Sequence, residues 1–159
     1  MIQSGKYAKP LESEGNLYNV ELRWPDAARE AVDPLSEEHF LHWDKPLSEQ
    51  SQFVKNAISP YVREYGLPMS EEGRSLYSVM KELEGKKIGL NSGSSPSAFN
   101  QLSPQASEAL YQAGIPGIRY LDQGSRGAGQ GTHNYVIFDE NIPNIVSRNG
   151  VSLSDLLRR

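Results

Sequence analysis

The chain has 159 residues, and 16 Lys and Arg against 20 Asp and Glu give it a net charge of −4. A chain of this length buries one sizeable core but seldom two, so we predict a single domain over residues 15–159. The acidic balance disfavours binding through phosphates, and we expect no direct nucleic-acid contact. The absence of cysteine excludes disulfides and thiolate metal sites and fits a cytoplasmic location.

The N-terminal segment MIQSGKYAKPLESE is polar and lacks the apolar stretch of a signal peptide. We therefore expect residues 1–14 to be a flexible N-terminus. Every apolar run in the sequence is much shorter than the roughly 20 residues of a membrane-spanning helix, so we expect no membrane partner.

The first third of the chain predicts one strand and two short helices. Residues 16–24, NLYNVELRW, largely alternate polar and apolar side chains with the period of a β-strand. Pro25 ends this strand, and Asp26 is placed to cap a short helix over 26–32. A further turn of helix is predicted over 36–41.

Two longer helices and a loop are predicted in the middle third. Residues 53–65 carry apolar side chains at helical spacing, with Ser48 as the expected cap and Pro60 expected to kink or split the helix. A second helix through Leu83 is predicted, with Ser70 as its cap and two glutamates in its first turn. Residues 85–102 lose this periodicity and predict a long, flexible, loop-rich insertion.

The last third predicts a helix over 103–113 that stops at Gly114, then strands within 114–122 and 134–145, and a short helix from Ser152. A strand, several helices, further strands and a terminal helix are the order of an α+β domain. We therefore predict an α+β fold in which helices pack on one side of a small, mainly antiparallel sheet.

The loop between the last predicted strands, QGSRGAGQGT at 123–132, holds four glycines beside Arg126, His133 and Asn134. Its glycines lack the GxGxxG spacing, and a strand follows them, whereas a dinucleotide fingerprint needs the N-terminus of a helix. The segment is therefore either a flexible hairpin loop or a loop that contacts a ligand or partner.

His39, His42 and His133 could in principle ligate a metal or act as general bases. His39 and His42 are three residues apart, but no HExxH motif accompanies them, so we predict no metal site. Arg126 and His133 together could stabilise and protonate a phosphoryl leaving group. A solvated histidine at the start of a strand is the alternative interpretation of His133.

Three blocks of the sequence resemble a known family. They are GNLYNVELRW at 15–24, HWDKPLSEQ at 42–50 and GIPGIRYLDQGSRGAGQGTHNYVIFDENIPNI at 114–145. They are similar to the C-terminal half of an ADP-ribosyltransferase-like domain found in large polyvalent proteins of phages and mobile elements. The resemblance covers roughly residues 15–150. It implies a small, strongly curved, split antiparallel sheet that grips NAD in active relatives, with helices inserted between the strands.

Within this resemblance, NYVIFDENIPNI is similar to the final strand pair of ADP-ribosyltransferases, whose pattern NEYIVYD places a glutamate at Asn134. In active relatives this carboxylate holds a ribose hydroxyl and stabilises a cationic transition state. An amide supplies no negative charge, which costs roughly two to three orders of magnitude in rate. Longer relatives also carry a His- or Arg-bearing strand and a GxGLYF motif, and neither stands before Gly15 here.

The resemblance therefore implies, first, a truncated and catalytically degenerate remnant that needs no cofactor. Such a protein of a phage or mobile element would bind and inhibit a host protein in the bacterial cytoplasm, for example an antiviral defence complex such as CRISPR. Ser125, Arg126 and Gln130 are then the expected partner contacts. A half-domain with an exposed sheet edge is also expected to form a homodimer.

The alternative is an active NAD-dependent mono-ADP-ribosyltransferase that modifies a host protein. Its catalytic residues would be Asn134, His133 and Arg126, and its NAD contacts would be Arg119, Arg126 and Tyr135. A weaker alternative is a small ribonuclease, in which Arg126 binds phosphate and His133 acts as the acid.

Overall fold

The computed structural model describes residues 16–23, 35–91 and 94–158. Tertiary contacts group them into two compact units, one with residues 16–21 and 144–158 and the other with the described residues from 22 to 143. The single domain predicted over 15–159 stays a prediction. The flexible N-terminus expected at 1–14 and the helix expected at 26–32 lie outside the described residues.

The smaller unit is a three-stranded sheet followed by a short helix. Its elements are β1 (Tyr18–Leu22), β5 (Pro143–Arg148), β6 (Val151–Ser152) and α5 (Leu153–Leu156), with the strands in the order β1–β5–β6. β5 and β6 are antiparallel, and Asn149 and Gly150 between them both have positive φ, as a tight primed hairpin turn requires. The Ser152 hydroxyl caps α5 by accepting from Asp155 N at 3.3 Å. The predicted first strand and last helix are confirmed.

The larger unit combines four helices with a second three-stranded sheet. Its elements are β2 (Leu41–His42), α1 (Gln52–Tyr65), α2 (Gly73–Lys87), α3 (Pro96–Asn100), α4 (Ser103–Gln112), β3 (Gly117–Leu121) and β4 (His133–Ile137). The strand order is β2–β3–β4; β2 runs parallel to β3, and β4 runs antiparallel to it. The α+β class is thus confirmed, with two small sheets where one was predicted and a parallel pair beside the antiparallel hairpin.

Both long helices begin later than the sequence predicts. Ser51 rather than Ser48 caps α1, with its hydroxyl accepting from Val54 N at 3.1 Å, because Ser48 lies in a 3₁₀ turn over Leu47–Glu49. Pro60 does not split α1, which is continuous. The predicted cap of α2 at Ser70 is wrong: α2 begins at Gly73 and follows Glu72, because Glu71 O and Met69 O accept from the backbone of that same 3₁₀ turn.

The segment 85–102 is not a continuous loop. α2 extends to Lys87, and α3 forms after Ser95, whose hydroxyl accepts from Ala98 N at 3.4 Å. Five residues are too few to show helical periodicity, which is why the sequence pattern misses α3. The predicted turn over 36–41 is a 3₁₀ turn at Glu37–His39, after which the chain enters β2. The predicted α4 is confirmed, with Gly114 at φ +92° as its stop.

The core of the larger unit lies between the helices and one face of its sheet. Leu41 and Ile118 are paired across β2 and β3 and are buried on this face. They join a cluster from the 3₁₀ turn Leu47–Glu49, from α1, α2 and α4, and from the turn after α4. It consists of Leu47, Val54, Ile58, Leu76, Tyr77, Met80, Ala106, Leu110 and Ile115. Because side chains alternate along a strand, the next residues, His42 and Arg119, are on the opposite face. That face carries the site described below.

Candidate functional site

Strands β2, β3 and β4 bring three basic side chains together on the sheet face opposite the core. His42 pairs with Arg119 across β2 and β3, and His133 pairs with Leu121 across β3 and β4. The alternation of the strands puts all three side chains on one face. The two imidazole rings are edge to face, with centroids 5.9 Å apart.

Arg119 is the centre of this group. Its Nη1 lies 3.1 Å from His42 Nε2, and its Nη2 lies 3.3 Å from His133 Nδ1. Nη1 also forms an ion pair with Glu37 Oε2 at 2.5 Å. The Arg119 side chain is only 11% exposed, and its buried Nε has no hydrogen-bond partner within the described residues. Arg119 therefore links the 3₁₀ turn before β2 with all three strands.

His42 is held neutral by this environment. Burial lowers its pKa from 6.5 to about 4, and the positive charges of Arg119 and Lys45 add to the effect, while Glu37 opposes it. Charging the ring would place a third cation beside two existing ones. At neutral pH, His42 is therefore an uncharged hydrogen-bonding group.

The side-chain amide of a buried glutamine, Gln50, holds the backbone of the loop after β2. Gln50 Oε1 accepts from His42 N at 2.9 Å, and its Nε2 donates to His42 O at 2.8 Å and Lys45 O at 3.0 Å. Asp44 Oδ2 accepts from Leu121 N at 3.0 Å and ties the loop to the end of β3. The backbone of His42 and Lys45 is thus held by hydrogen bonds with the Gln50 side chain, and the hydrogen bond between Asp44 and Leu121 joins the same loop to β3.

The glycine-rich loop 123–132 is closed by its own hydrogen bonds. Asp122 accepts from the Thr132 hydroxyl and from Ser125 N, the latter at 2.7 Å, and Ser125 Oγ accepts from Thr132 N at 3.0 Å. These bonds lower the pKa of Asp122 below its usual value. Gly131 has φ +136°, and a Cβ there would overlap Ser125 Oγ, so this close turn requires glycine.

These segments enclose a cavity of about 250 Å³ that we call the cationic pocket. It is lined by His42, Asp44, Lys45, Leu121, Arg126, Gly129 and His133. Among the described residues, neither Lys45 nor Arg126 has a carboxylate partner, and the Asp44 carboxylate already accepts from the backbone. The pocket thus offers the ammonium group of Lys45, the guanidinium group of Arg126 and two imidazoles. Together these groups can donate hydrogen bonds to an oxyanion.

A second cavity, of about 240 Å³, is lined by Trp43, Ile118, Tyr120, Arg126 and Val136; we call it the aromatic pocket. Ile118, Tyr120 and Val136 share the sheet face opposite His42 and Arg119. The Arg126 guanidinium carbon lies 5.7 Å from the centroid of the Tyr120 ring, within cation–π range. Arg126 therefore borders both pockets at the end of β3.

The predicted catalytic residues do not share one surface. Asn134 is exposed and pairs with Tyr120 on the face of the aromatic pocket, while His133, its neighbour in β4, faces the cationic pocket. Arg126 is near both. Arg119 and Tyr135, which were predicted to contact NAD, are cross-strand neighbours in β3 and β4. The Tyr135 ring packs edge to face against the Phe40 ring, with the ring centroids 5.1 Å apart.

The predicted partner contacts differ in how free they are. Arg126 and Gln130 are exposed on the loop, whereas the Ser125 hydroxyl is engaged within it. Sequence reasoning missed Glu37, Lys45 and Gln50, and it considered His42 only as a metal ligand or a general base. The dense run of polar residues in HWDKPLSEQ is the local signal that could have indicated this loop.

No group of three or more His, Asp or Glu side chains within the described ranges is arranged to hold a metal ion. None of the helices in the described part of the chain is long and apolar enough to cross a membrane. No protein-family model, curated protein or solved structure matches the chain. The residues of the two pockets are therefore the basis for assigning a function.

Proposed function

We propose that this chain is an ADP-ribosyltransferase-like protein that binds the diphosphate of NAD, or of a related ADP-ribose compound, in the cationic pocket. The observation that carries the proposal is the convergence of Lys45, Arg126, the neutral His42 and His133 around one cavity. Charge-assisted hydrogen bonds from such groups are the usual means of holding phosphate oxygens. The sequence resemblance supplies the nucleotide part of the proposal.

The same geometry argues against fast transfer. Asn134, which stands where the resemblance places the catalytic glutamate, is on the other sheet face from His42, Arg119 and His133. The nearest carboxylates are also engaged, since Glu37 is paired with Arg119 and Asp44 accepts from Leu121 N. Neither Glu37 nor Asp44 is thus free to stabilise a cationic transition state beside this group. We propose ligand binding with slow or no ADP-ribosyl transfer.

The first test is calorimetric titration of the whole chain with NAD, ADP-ribose and nicotinamide. NAD and ADP-ribose are expected to bind and nicotinamide is not, because only the first two carry a diphosphate. Lys45→Met and Arg126→Met are each expected to weaken binding roughly tenfold, the loss of one charge-assisted hydrogen bond. Lys86→Met, which changes an exposed lysine of α2, is the matched control and is expected to bind normally.

Labelled NAD with a bacterial lysate tests transfer. Little protein-bound label is expected from the natural sequence, and Asn134→Glu is expected to raise it no more than a few-fold because residue 134 is on the other face. Absence of NAD and ADP-ribose binding would refute the proposal. Rapid transfer would restore the active mono-ADP-ribosyltransferase, and cleavage of an RNA oligonucleotide without NAD binding would favour the ribonuclease.

A second candidate function, binding and inhibition of a host protein, is favoured by the aromatic pocket. Tryptophan, tyrosine and arginine are the residues that most often anchor protein interfaces, and Trp43, Tyr120 and Arg126 line this one cavity. Val136 at its edge is 44% exposed. The tagged chain is then expected to retain one protein from a host lysate, and Val136→Asp to lose it, while Lys86→Met retains it. Capture that survives Val136→Asp would place any partner elsewhere.

A further inference from the structure

The contacts of Arg119 fix the protonation of both histidines. A guanidinium group has only N–H donors and stays protonated in proteins. His42 Nε2 and His133 Nδ1, at 3.1 and 3.3 Å from its nitrogens, must therefore be acceptors. Each ring then carries its single proton on the other nitrogen, which is Nδ1 in His42 and Nε2 in His133. Within the described residues these two N–H groups have no hydrogen-bond partner.

We propose that Arg119 is a positioning residue that holds His42 and His133 as neutral, opposite tautomers and so makes His42 Nδ1–H and His133 Nε2–H the donors for a phosphate oxyanion in the cationic pocket. This inference rests on the proposed function for the identity of the ligand, a nucleotide diphosphate. It assigns roles to the imidazoles and to Arg119 that the pocket alone does not define. No proton is transferred: the rings bind and orient the oxyanion.

Burial of the Arg119 guanidinium costs free energy, and this cost supports a role for Arg119 other than stabilising the fold. Its side chain is 11% exposed and its Nε is unpartnered, while Glu37, its only carboxylate partner within the described ranges, is 66% exposed. An ion pair with such an exposed partner contributes little stability, and a buried unpartnered donor reduces it further. A residue kept for stability alone would be replaced at little cost by an apolar side chain. The two imidazole contacts are the remaining interactions of the buried guanidinium among the described residues, and positioning these rings is the role that we assign to it.

The test is long-range ¹H–¹⁵N correlation NMR of the full chain labelled in its histidines, at neutral pH. The chain has three histidines, so His42→Gln and His133→Gln assign the spectra. The expected result is an Nδ1–H tautomer for His42 and an Nε2–H tautomer for His133. The reverse tautomer at either ring, a rapid mixture of tautomers or a charged imidazolium would overturn the inference.

Titration with inorganic pyrophosphate, and then with ADP-ribose, tests the donor role. His42 Nδ1 and His133 Nε2 are expected to shift on saturation with either probe. Binding of pyrophosphate that leaves both nitrogens unshifted would show that the rings are not donors. If pyrophosphate shifts both nitrogens but NAD and ADP-ribose do not bind, the inference stands and the proposed function fails. Shifts with ADP-ribose alone would show that the site needs the nucleoside as well.

Two variants separate positioning from charge. Arg119→Lys keeps the charge but cannot reach both rings at once, so mixed tautomers and a roughly tenfold loss of pyrophosphate affinity are expected. Arg126→Lys changes a pocket residue that touches neither imidazole, so fixed tautomers with weaker binding are expected. If Arg119→Lys keeps both tautomers fixed, Arg119 does not position them. Should Arg119→Lys not fold, the tautomers of the natural chain still test the proposal, and Glu37→Gln separates the ion pair from the imidazole contacts. This variant removes the ion pair and is expected to leave both tautomers unchanged; a changed tautomer at either ring would show that Arg119 does not fix them through its imidazole contacts.

Discussion

At the scale of single residues, His42 links the candidate site to the pH dependence of stability. Its pKa in the folded chain is about 4, against the ordinary value of 6.5 that the unfolded chain would have. Between these two values the unfolded chain binds more protons than the folded one, so the free energy of unfolding falls as pH decreases from about 6.5 towards 4. The ring is half-buried, and solvent screening reduces the effect to about 1 kcal/mol, or roughly 2–4 °C in Tm.

The measurement is the Tm of the natural chain and of His42→Gln at pH 7 and pH 4.5. The natural chain is expected to lose more stability between these conditions than the variant, because only the natural chain has the group with the depressed pKa. Asp122 and Asp139 have pKa values below 3.8, so they remain charged over this range in both proteins. Equal losses in the two proteins would show that His42 is not held neutral by the fold.

The sequence revealed some of the site residues and missed others for a physical reason. Arg126 and His133 flank a glycine-rich loop, and that local feature marked them. His42 and Arg119 are 77 positions apart, and nothing local to either predicts that β2 pairs in parallel with β3. Because β2 has two residues, it shows no periodicity of its own. The cationic group therefore depends on a long-range pairing that sequence patterns do not record.

At the scale of elements, the junction between β2 and α1 depends on Gln50. The side chain is 3% exposed and satisfies one N–H and two carbonyl groups of the loop that carries His42 and Lys45. Gln50→Ala leaves these buried backbone groups without partners and is expected to cost about 2–4 kcal/mol in the free energy of unfolding. Gln50→Glu is expected to be at least as destabilising, because a carboxylate oxygen would face two carbonyl oxygens.

Urea unfolding of these variants beside Gln52→Ala provides the measurement. Gln52 is an exposed glutamine whose Nε2 donates only to the Asn56 side chain, so its loss is expected to change stability by less than about 0.5 kcal/mol. If Gln50→Ala is as mild as the control, the loop after β2 does not depend on the glutamine.

The junction between β2 and α2 depends on the absence of a side chain at Gly73. A Cβ at this position would overlap His42 O and lie 3.0 Å from His42 C, and both are backbone atoms that cannot rotate away. Gly73→Ala is therefore expected to push α2 from β2 and to destabilise the chain by about 1–3 kcal/mol, as measured by urea unfolding. Gly127→Ala is the control, since a Cβ there meets nothing within 4 Å. Similar stabilities for the two variants would contradict this account.

The elements that the sequence predicted well carry their signals locally. α4 has a first-turn proline and a left-handed glycine at its end, and α1 has a regular apolar stripe. The predicted cap of α2 at Ser70 lies two residues before the observed one at Glu72, because the backbone of residues 69 and 71 accepts hydrogen bonds from residues 47 and 48. Local chemistry thus defines the bodies of helices, and distant contacts decide where they begin.

At the scale of the whole molecule, charge is distributed unevenly. The net charge is −4, yet Lys45, Arg119 and Arg126 gather around one end of β3. The acidic composition disfavours phosphate ligands through the long-range electrostatic field of the whole chain. The cationic pocket shows that a local group of positive side chains can oppose that field at short range. A small anion responds to the few charges within a Debye length, about 8–10 Å, whereas a long polyanion would also meet the acidic remainder of the surface. This pattern fits a nucleotide better than a nucleic acid.

Strand β1 gives the predicted homodimer a testable location. It is the outer strand of the β1–β5–β6 sheet, and one of its edges pairs with no other strand in the described ranges. Tyr18 and Val20 on it are 46% and 41% exposed, and an edge of this kind is a ready template for pairing with another chain. We expect a dimer in sedimentation equilibrium. Val20→Lys is expected to weaken it at least roughly tenfold, because a lysine on an edge strand opposes pairing.

The matched control is Ile88→Lys, which places the same charge on another exposed apolar residue, 68% exposed at the end of α2. This variant is expected to remain dimeric, since Ile88 is not on a sheet edge. A dimer that survives Val20→Lys but dissociates with Ile88→Lys would move the interface to the helices. A natural chain that sediments only as a monomer at every concentration would remove the dimer altogether, and the cationic pocket, built entirely from one chain, would then be expected to bind its ligand unaided.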